Sequence, residues 1–347
     1  MYKVILMNGG GEQGKWILRQ THNHKGISSC GKYQFYVNEI IPDPDFVIVR
    51  GKSIKKETTF NVAPENLILT TSEPLSVLAY PRDYCRQFGL VCSCQETLKH
   101  KNVIYTPAIL QWYVGASFNS KGEGISQIDY DTFKTMPTPE KSKLISIIGS
   151  NKAFTQGHLD RIRFIERLKE HYGDKVDIFG RGYNDFDDKW SVIAPYKYHI
   201  VIENSTTKYY WTEKLADCYI GEAYPIYHGC TNIDEYFPKE SYTAIDINNF
   251  EETVKTIDAL IERNAYEESR QALKECKELV LEDYNMFNYL ASILDKMNPE
   301  LPRKNITVKP AKSMHSLHNI YNYIIKRNIF KLKRSIAKLF KKETLIK

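Results

Sequence analysis

Residues 198–246 read YHIVIENSTTKYYWTEKLADCYIGEAYPIYHGCTNIDEYFPKESYTAID. They contain two short apolar runs, residues 199–202 and 224–227, and polar or small residues follow each run. The first run leads into Glu203-Asn204-Ser205 and the second into His228-Gly229-Cys230. Runs of this length are typical of strands buried in a parallel sheet. Ligands of open α/β sheets bind outside the carboxyl ends of the strands, so these residues are predicted to face a cleft.

A helix is predicted to begin between these two strands, at Thr212. Threonine is a good N-cap, and Glu213 in the first turn suits the positive end of the helix dipole. Lys214 does not suit the positive end of the helix dipole, which repels a cation. The position becomes favourable only if an anion lies close to both the helix start and the lysine. A diphosphate would satisfy the free backbone N–H groups and Lys214 together. The alternative is a surface helix with an incidental charge pair.

The surrounding sequence alternates strands and helices. Residues 144–148 form an apolar run, residues 158–171 carry apolar side chains at helical spacing, and residues 175–180 form the next run. This order predicts a parallel sheet with right-handed crossovers. Helix is expected from Phe250 to about Met297. Strands in the first 130 residues are predicted at Lys3–Met7, Phe46–Val49, Leu67–Leu69 and Val103–Ile104.

A chain of 347 residues is long enough for two domains. Residues 131–143 contain two prolines and no apolar period, which makes them the best candidate for a linker. No apolar run approaches the roughly 20 residues of a membrane-spanning helix. The first residues lack the length and the cleavage pattern of a signal peptide. Seven cysteines without paired spacing indicate reduced thiols, and therefore a cytoplasmic protein.

The charge of the chain is uneven. Residues 301–347 contain thirteen Lys or Arg and one acidic residue, a net charge of +12, whereas the whole chain carries +6. Within them, residues 317–342 place apolar side chains on one helical stripe among lysines and arginines. Such a basic amphipathic helix binds anionic membrane surfaces, and this role is predicted for residues 315–347. A helix packed on the body and a nucleic-acid-binding helix are the alternatives; no nucleic-acid partner is predicted.

Three weaker motifs give no prediction of a cofactor. Gly9–Trp16 nearly matches a phosphate-binding loop, but Trp16 stands where a hydroxyl would bind magnesium. A flexible loop facing a cleft is therefore favoured over an ATPase or a nucleotide kinase. Asp-x-Asp pairs beginning at residues 43, 129 and 185 are more typical of solvated turns than of a metal site. The spacing of Cys85, Cys92, Cys94 and His100 fits no zinc pattern, and no metal is predicted.

Two ordered motifs over about 90 residues are similar to those of one enzyme family. The first comprises Glu203-Asn204-Ser205, Tyr210, Thr212-Glu213-Lys214, Gly221, Pro225-Ile226, Gly229 and Phe237-Pro238. The second, upstream, comprises Arg161, Phe164, Leu168, His171 and Val176–Arg181. Together they resemble the α-1,3/1,4-fucosyltransferases, glycosyltransferase family ten. The resemblance covers residues 144–250 well and is thin over residues 1–140.

The resemblance implies the glycosyltransferase B (GT-B) architecture, an α/β fold in which two Rossmann-like domains face each other across a cleft. Residues 1–135 would form the acceptor-side domain and residues 144–300 the domain that binds the GDP-sugar donor. Residues 301–347 would form the basic amphipathic membrane-association tail.

The resemblance also implies roles for individual residues. Arg161 is expected to pair with the donor diphosphate, and Asn204 and Tyr210 are expected to be further diphosphate contacts. Glu213 and Lys214 are expected to hold the nucleotide-sugar.

The family places a catalytic glutamate after an apolar strand of the first domain. Glu73 is the acid that follows the predicted strand Leu67–Leu69, and it is expected to be the general base. Glu96 and Glu65 are the alternatives, and a turn acid before proline is the alternative role for Glu73 itself.

The resemblance implies an inverting transferase that moves fucose from GDP-β-L-fucose to a hydroxyl of a glycan or lipid-linked saccharide, in an α-1,3 or α-1,4 linkage. A glutamate would accept the acceptor proton, and arginine and lysine would stabilise the GDP leaving group, so no cofactor is required. The predicted location is cytoplasmic, on the inner face of a membrane. The alternatives are another nucleotide-sugar donor on the same fold and a catalytically inactive membrane-bound scaffold protein.

Overall fold

The computed structural model describes residues 1–119, 122–150 and 156–314. The first half of the chain forms a six-stranded parallel sheet in the order β2-β1-β3-β5-β6-β7. Its strands are β1 (Tyr2–Met7), β2 (Tyr33–Val37), β3 (Phe46–Arg50), β5 (Leu67–Thr70), β6 (Leu90–Ser93) and β7 (Val103–Tyr105). The four apolar runs predicted in this half are therefore confirmed as strands. Strands β1, β3 and β5 are largely buried, and strands buried on both faces have nearly continuous apolar sequences, whereas β7 is partly exposed at the edge of the sheet.

The second half forms a five-stranded parallel sheet in the order β11-β10-β12-β13-β14. Its strands are β10 (Lys143–Ile148), β11 (Val176–Phe179), β12 (Tyr196–Ile202), β13 (Tyr224–His228) and β14 (Thr243–Ala244). Helix α3 (Gln156–Tyr172) connects β10 to β11, and α5 (Glu213–Ile220) connects β12 to β13. The strand–helix–strand order predicted from the sequence is confirmed.

Shorter elements complete the two halves. They are β4 (Thr58–Val62), β8 (Ala116–Phe118), β9 (Gly124–Ser126), α1 (Arg82–Cys85), α2 (Tyr130–Thr135), α4 (Lys189–Ile193), α6 (Phe250–Glu262), α7 (Ala265–Glu268), α8 (Arg270–Leu281) and a 3₁₀ helix, Gly11–Gln20. Helix α2 occupies the start of the predicted linker, and residues 136–142 carry no helix or strand.

In each sheet the side on which successive strands are added reverses once. The chain starts the first sheet at β1 and adds β2 on one side and β3 on the other; the second sheet is built the same way from β10, β11 and β12. In such open sheets the loops on either side of the reversal separate and leave a crevice at the carboxyl ends of the strands. Each half of this protein therefore has one such crevice, between β1 and β3 and between β10 and β12.

The end of the described chain returns to the first half. Helix α9 (Met286–Leu294) buries Phe287 and Leu290 in the same core as Val4 and Phe35 of the first sheet. Strand β15 (Lys304–Val308) pairs antiparallel with β4. Part of the predicted donor-binding segment and part of the predicted basic segment therefore pack on the first sheet. The domain boundaries themselves stay a prediction.

The amphipathic helix predicted within residues 315–347 lies outside the described residues. No helix in the described part of the chain is both long and apolar enough to cross a membrane.

Candidate functional site

Helix α5 begins at the predicted N-cap. The Thr212 hydroxyl oxygen accepts a hydrogen bond from the Lys214 backbone N–H at 3.4 Å. Glu203, which directly follows β12, accepts hydrogen bonds from the Thr212 N–H at 2.8 Å and from the Thr212 hydroxyl at 2.9 Å. The Glu203 side chain is completely buried. Its carboxylate therefore fixes the start of the helix against the carboxyl end of the neighbouring strand.

Lys214 lies between two carboxylates. Its Nζ is 3.1 Å from Glu203 Oε2 and 3.4 Å from Glu213 Oε1. Burial lowers the pKa of Lys214, but the negative charges of Glu203 and Glu213 outweigh burial, and the net pKa is raised. The anions beside Lys214 in this structure are therefore protein carboxylates. A ligand phosphate would share the ammonium group with them.

Arg161 of α3 is the second cation at this edge of the sheet. Its Nη1 donates a hydrogen bond to Asn204 Oδ1 at 3.2 Å, and the residue is 7% exposed. Burial lowers the pKa of Arg161, while the carboxylate of Glu203 opposes that shift. Among the described residues Arg161 has no ion-pair partner, and its Nε has no hydrogen-bond acceptor. A buried guanidinium held by a neutral amide retains donors for an anionic ligand.

Tyr210 connects the two halves of the chain. It is 1% exposed and packs against Cys94 and Ala108 of the first half. The preceding Tyr209 has a left-handed backbone (φ 63°), and its ring stacks on Tyr105 at a centroid distance of 5.5 Å. Burial, then the charges of Glu203 and Glu73, raise the pKa of Tyr210. The loop that contains this tyrosine therefore closes one side of the space between the two sheets.

Glu73 faces this space from the first half. It lies three residues beyond β5, and burial raises the pKa of its carboxyl group. The nearby charge of Glu213 raises the pKa further and that of Lys214 lowers it, so the three side chains share one electrostatic environment. The backbone carbonyl of Glu73 accepts a hydrogen bond from Gln95 Nε2 at 2.7 Å. The same Nε2 donates to the carbonyl of Leu78 at 2.8 Å and so holds the loop that contains Glu73.

The two alternative glutamates are placed differently. Glu65 lies in the turn that precedes β5, at the opposite edge of the sheet. Glu96 follows β6 and is exposed to solvent. Glu73 is partly buried, and the charges of Glu213 and Lys214 on α5 act on its pKa.

Comparison with known proteins shows what the second half of the chain is similar to. Residues 138–271 match the model described as "Glycosyltransferase family 10 (fucosyltransferase) C-term". These residues are therefore similar to the C-terminal region of the family 10 fucosyltransferases. The resemblance recognised in the sequence is confirmed over this segment, which contains Arg161, Asn204, Tyr210, Glu213 and Lys214.

Two fucosyltransferases are similar to this chain. An 87-residue segment is 33% identical to the alpha-(1,3)-fucosyltransferase FucT of Helicobacter pylori. The match covers 24% of this chain and 18% of that protein, so it spans less than a fifth of the relative's length. The crystal structure of an alpha1,3-fucosyltransferase with GDP is similar over 86% of this chain and 91% of that one, with 16% identity and a TM-score of 0.51. The predicted α/β fold of GT-B type is thereby confirmed.

Residues 138–271 contain an ion pair that was not predicted from the sequence. Lys189 Nζ lies 2.5 Å from Asp217 Oδ2, and the Asp217 side chain is 1% exposed. Asp217 Oδ1 accepts hydrogen bonds from the backbone N–H groups of Tyr113 at 2.7 Å and Val114 at 2.9 Å. Helix α5 is therefore fastened to the segment between the two sheets. An aspartate inside a predicted helix, one turn after Glu213, was the available signal.

Gly229 of the family 10 motif is explained by close packing. A Cβ atom on this residue would lie 2.5 Å from Glu203 Cγ and 2.5 Å from the Tyr227 hydroxyl. Real side chains do not approach so closely, so any larger residue here would displace Glu203. Glycine at this strand end therefore protects the carboxylate that caps α5.

The remaining sequence motifs have local partners. Lys15, the lysine of the near phosphate-binding loop, pairs with Glu12 at 2.9 Å. Asp129 is the N-cap of α2 and accepts from the Thr132 N–H at 3.0 Å. Within the described ranges, no three His, Cys, Asp or Glu side chains are grouped so that they could share a metal ion.

Proposed function

We propose that this protein is an inverting fucosyltransferase that transfers fucose from GDP-β-L-fucose to a hydroxyl group of a glycan acceptor, in an α-1,3 or α-1,4 linkage. The proposal is carried by two groups that both act electrostatically on Lys214: a buried Arg161 whose Nε has no acceptor among the described residues, and a partly buried Glu73. The match of residues 138–271 to the family 10 fucosyltransferase model supports fucose as the donor sugar. The similar structure described with GDP supports the nucleotide.

Glu73 is the proposed general base. In a single displacement the acceptor hydroxyl attacks the anomeric carbon while GDP leaves from the opposite face, so a β-linked donor gives an α-linked product. A carboxylate must accept the hydroxyl proton, and such general-base catalysis contributes about 10²–10⁴-fold. Burial raises the pKa of Glu73 and makes its carboxylate a stronger base than an exposed glutamate. Gln95 positions it by bonding the loop backbone.

Arg161 and the start of α5 are proposed to stabilise the leaving diphosphate. The transition state of glycosyl transfer has oxocarbenium character, and negative charge accumulates on the leaving group. Fixed donors in a site that excludes water stabilise that charge without reorganisation. Lys214 is already countered by Glu203 and Glu213, so Arg161 supplies most of the uncompensated positive charge.

A nucleotide screen tests the donor. The full chain is mixed with nucleotides and nucleotide-sugars, and thermal unfolding is measured, because a ligand of the native state stabilises it by mass action. GDP and GDP-fucose are expected to give the largest shifts, and GDP-fucose is expected to release GDP slowly without an acceptor. Larger shifts with another nucleotide-sugar would indicate a different donor. Binding without any turnover would indicate an inactive scaffold.

Replacement of Glu73 tests the mechanism. The Glu73→Gln variant is expected to bind GDP like the wild type and to lose transfer, because glutamine keeps the shape but cannot accept the proton. Glu96→Gln is the matched control, since that side chain is exposed after the neighbouring strand. Normal transfer by Glu73→Gln would place the base elsewhere.

We further propose that residues 315–347 dock the enzyme on the inner, anionic face of a membrane, where a glycan or lipid-linked saccharide is the acceptor. Their excess of lysine and arginine supports this. A chain ending at residue 314 is expected to lose binding to anionic liposomes and to keep GDP binding. Equal liposome binding by the two chains would contradict the proposal.

A further inference from the structure

A cavity of about 330 Å³ lies at the carboxyl ends of the strands in the first sheet. It opens between the loop after β1, which contributes Asn8 and Gly9, and the loop after β3, which contributes Arg50 to Ser53. This is the crevice created by the reversal of strand order between β1 and β3, where open α/β sheets bind ligands. None of the residues assigned above to the donor lines it.

Arg50 forms the floor of this cavity. It is the last residue of β3 and is 8% exposed. Its Nη1 donates hydrogen bonds to Gln111 Oε1 at 2.8 Å and to Asn8 Oδ1, which are both neutral amide oxygens. Its Nε is buried without an acceptor, and in the described part of the chain no carboxylate forms an ion pair with it. A buried guanidinium in this state carries a desolvation cost that an anion would offset.

Two further cations line the same cavity. Lys52 Nζ donates to the backbone carbonyl of Ala79 at 3.0 Å, and Lys55 Nζ donates to the carbonyl of Lys52 at 3.0 Å. The Ser53 hydroxyl is buried and has no partner among the described residues. Aspartate and glutamate are absent from the described lining. The cavity therefore combines three positive charges with an unused hydroxyl.

The cavity adjoins the proposed catalytic base. Ser72 lines it, and Glu73 is the next residue along the chain. Burial lowers the pKa of Arg50 to about 10, and the charges of Tyr113, Tyr80 and Glu213 act in the opposite direction, so Arg50 lies within electrostatic range of α5. A saccharide with an anionic group over Arg50 would extend toward Glu73.

We propose that this cavity binds an anionic substituent, a carboxylate or a phosphate, on the saccharide acceptor, through Arg50, Lys52, Lys55 and the Ser53 hydroxyl. This inference rests on the proposed function, because it assigns the cavity to the second substrate of that reaction. A neutral saccharide would leave the buried guanidinium uncompensated. The enzyme would therefore select acid-bearing acceptors over neutral ones of the same size.

The test uses pairs of probes that differ in charge. Methyl β-glucuronide is compared with methyl β-glucoside, and glucose 6-phosphate with glucose, by ligand-observed NMR on the full chain saturated with GDP. The wild type is expected to bind at least one acid about ten-fold more tightly than its neutral partner, as one charge-assisted hydrogen bond predicts. The acid that shows the preference identifies a carboxylate or a phosphate. Equal binding within both pairs would overturn the proposal.

Variants test which residues cause the preference for acidic over neutral sugars. Arg50→Gln is expected to abolish it, and Lys55→Gln, on an exposed side chain, is expected to reduce it about 1.5- to 5-fold. Lys101→Gln, which removes an exposed charge elsewhere in the first half, is expected to leave it unchanged. If Arg50→Gln fails to fold, Lys55→Gln decides. A preference unchanged in Lys55→Gln, or reduced equally in Lys101→Gln, would overturn the assignment.

GDP affinity separates this proposal from the proposed function. Lys55→Gln is expected to bind GDP with wild-type affinity, since the donor contacts lie on the second sheet. If Lys55→Gln weakened GDP and acid sugars equally, the cavity would belong to the donor and the acceptor assignment would be wrong. If the wild type bound neither GDP nor GDP-fucose, the proposed function itself would fail, whatever the sugar probes showed.

Discussion

Replacing Arg161 by methionine should separate ligand binding from stability. In the free protein the described partner of the guanidinium is a neutral amide, Asn204, at 3.2 Å. Methionine removes a buried charge and fills a similar volume, and exchanges of this kind are often neutral or stabilising. The unliganded Arg161→Met variant is therefore expected to unfold at the wild-type temperature or above.

The effect on GDP follows from the hydrogen bonds that are lost. A hydrogen bond to a charged group contributes about 1.5–3 kcal/mol, and each 1.4 kcal/mol is about ten-fold in Kd. Losing a single contact between Arg161 and the diphosphate should therefore weaken GDP about 10- to 150-fold, and losing a bidentate contact should weaken it more. Arg161→Lys should recover part of the affinity, because lysine keeps the charge but not the planar fork.

Calorimetric titration with GDP at fixed ionic strength measures this. Arg163→Met is the matched control: Arg163 lies two residues away on the same helix, its side chain is 65% exposed, and it faces Asp160 at 3.7 Å. The control should bind GDP like the wild type. An Arg161→Met variant that bound GDP with unchanged affinity would refute the placement of the diphosphate beside Arg161. A large loss of stability together with affinity would show that the guanidinium is structural.

Three further predictions concern the base, a buried ion pair and a close contact. Because the pKa of Glu73 is raised, kcat/KM should fall on acidification at a pH above the ordinary glutamate pKa of about 4.3. GDP affinity over the same pH range serves as the control. A fall in kcat/KM only around the ordinary glutamate pKa would contradict this. Lys277→Met leaves Glu222, 2.8 Å away, as an uncompensated buried charge, which costs about 3–5 kcal/mol. Its melting temperature should fall by about 6 °C or more at roughly 2–4 °C per kcal/mol, with the exposed Lys274→Met as control; equal melting temperatures would show that the pair is not coupled to folding. Gly229→Ala should cost about 1–3 kcal/mol by overpacking and should weaken GDP by displacing the helix cap; a variant with unchanged GDP affinity would show that the cap tolerates the shift.

Most strands of the two sheets could be predicted from the sequence, because they consist of nearly uninterrupted apolar runs; β2, β6 and β14 were not predicted. Phe46–Arg50 is buried along its whole length. Strand β2, Tyr33–Val37, alternates buried and half-buried residues, and its short mixed pattern gave no signal strong enough to predict it. Local sequence patterns therefore identified strands that consist almost entirely of apolar residues.

The packing of the chain end could not be predicted in the same way. Helix α9 was recognisable as helix, but its core contacts with the first sheet lie more than 200 residues apart in sequence. Periodicity reports which face of a helix is apolar and not which sheet covers that face. The return of β15 to β4 was missed for the same reason, and residues 304–308 were assigned to the basic segment.

In the candidate site, Glu203 and Asn204 follow β12 at the carboxyl end of the strand, as the sequence predicted; Glu203 is buried against the start of α5 and Asn204 contacts Arg161. Polar side chains at strand ends are predicted to face a cleft, and this rule, applied to residues 46–50 (FVIVR), would have indicated Arg50. Arg50 is the last residue of β3, and Glu203 occupies a similar place directly after β12. The contacts of Gln95 and Asp217 were not predictable, because each side chain bonds the backbone of a distant segment; for Asp217 the sequence offered only an aspartate within a predicted helix. Whether the predicted donor residues contact GDP stays a prediction.

The return of α9 and β15 to the first sheet has a consequence for protein engineering. A fragment ending near residue 135 would leave the face formed by Val4 and Phe35 open to water, since Phe287 and Leu290 cover it in the intact chain. Such a fragment is a poor candidate for separate expression. A chimera that takes its first half from a similar protein must therefore transplant two discontinuous pieces, the equivalents of the amino-terminal sheet and of residues 286–308, as one module.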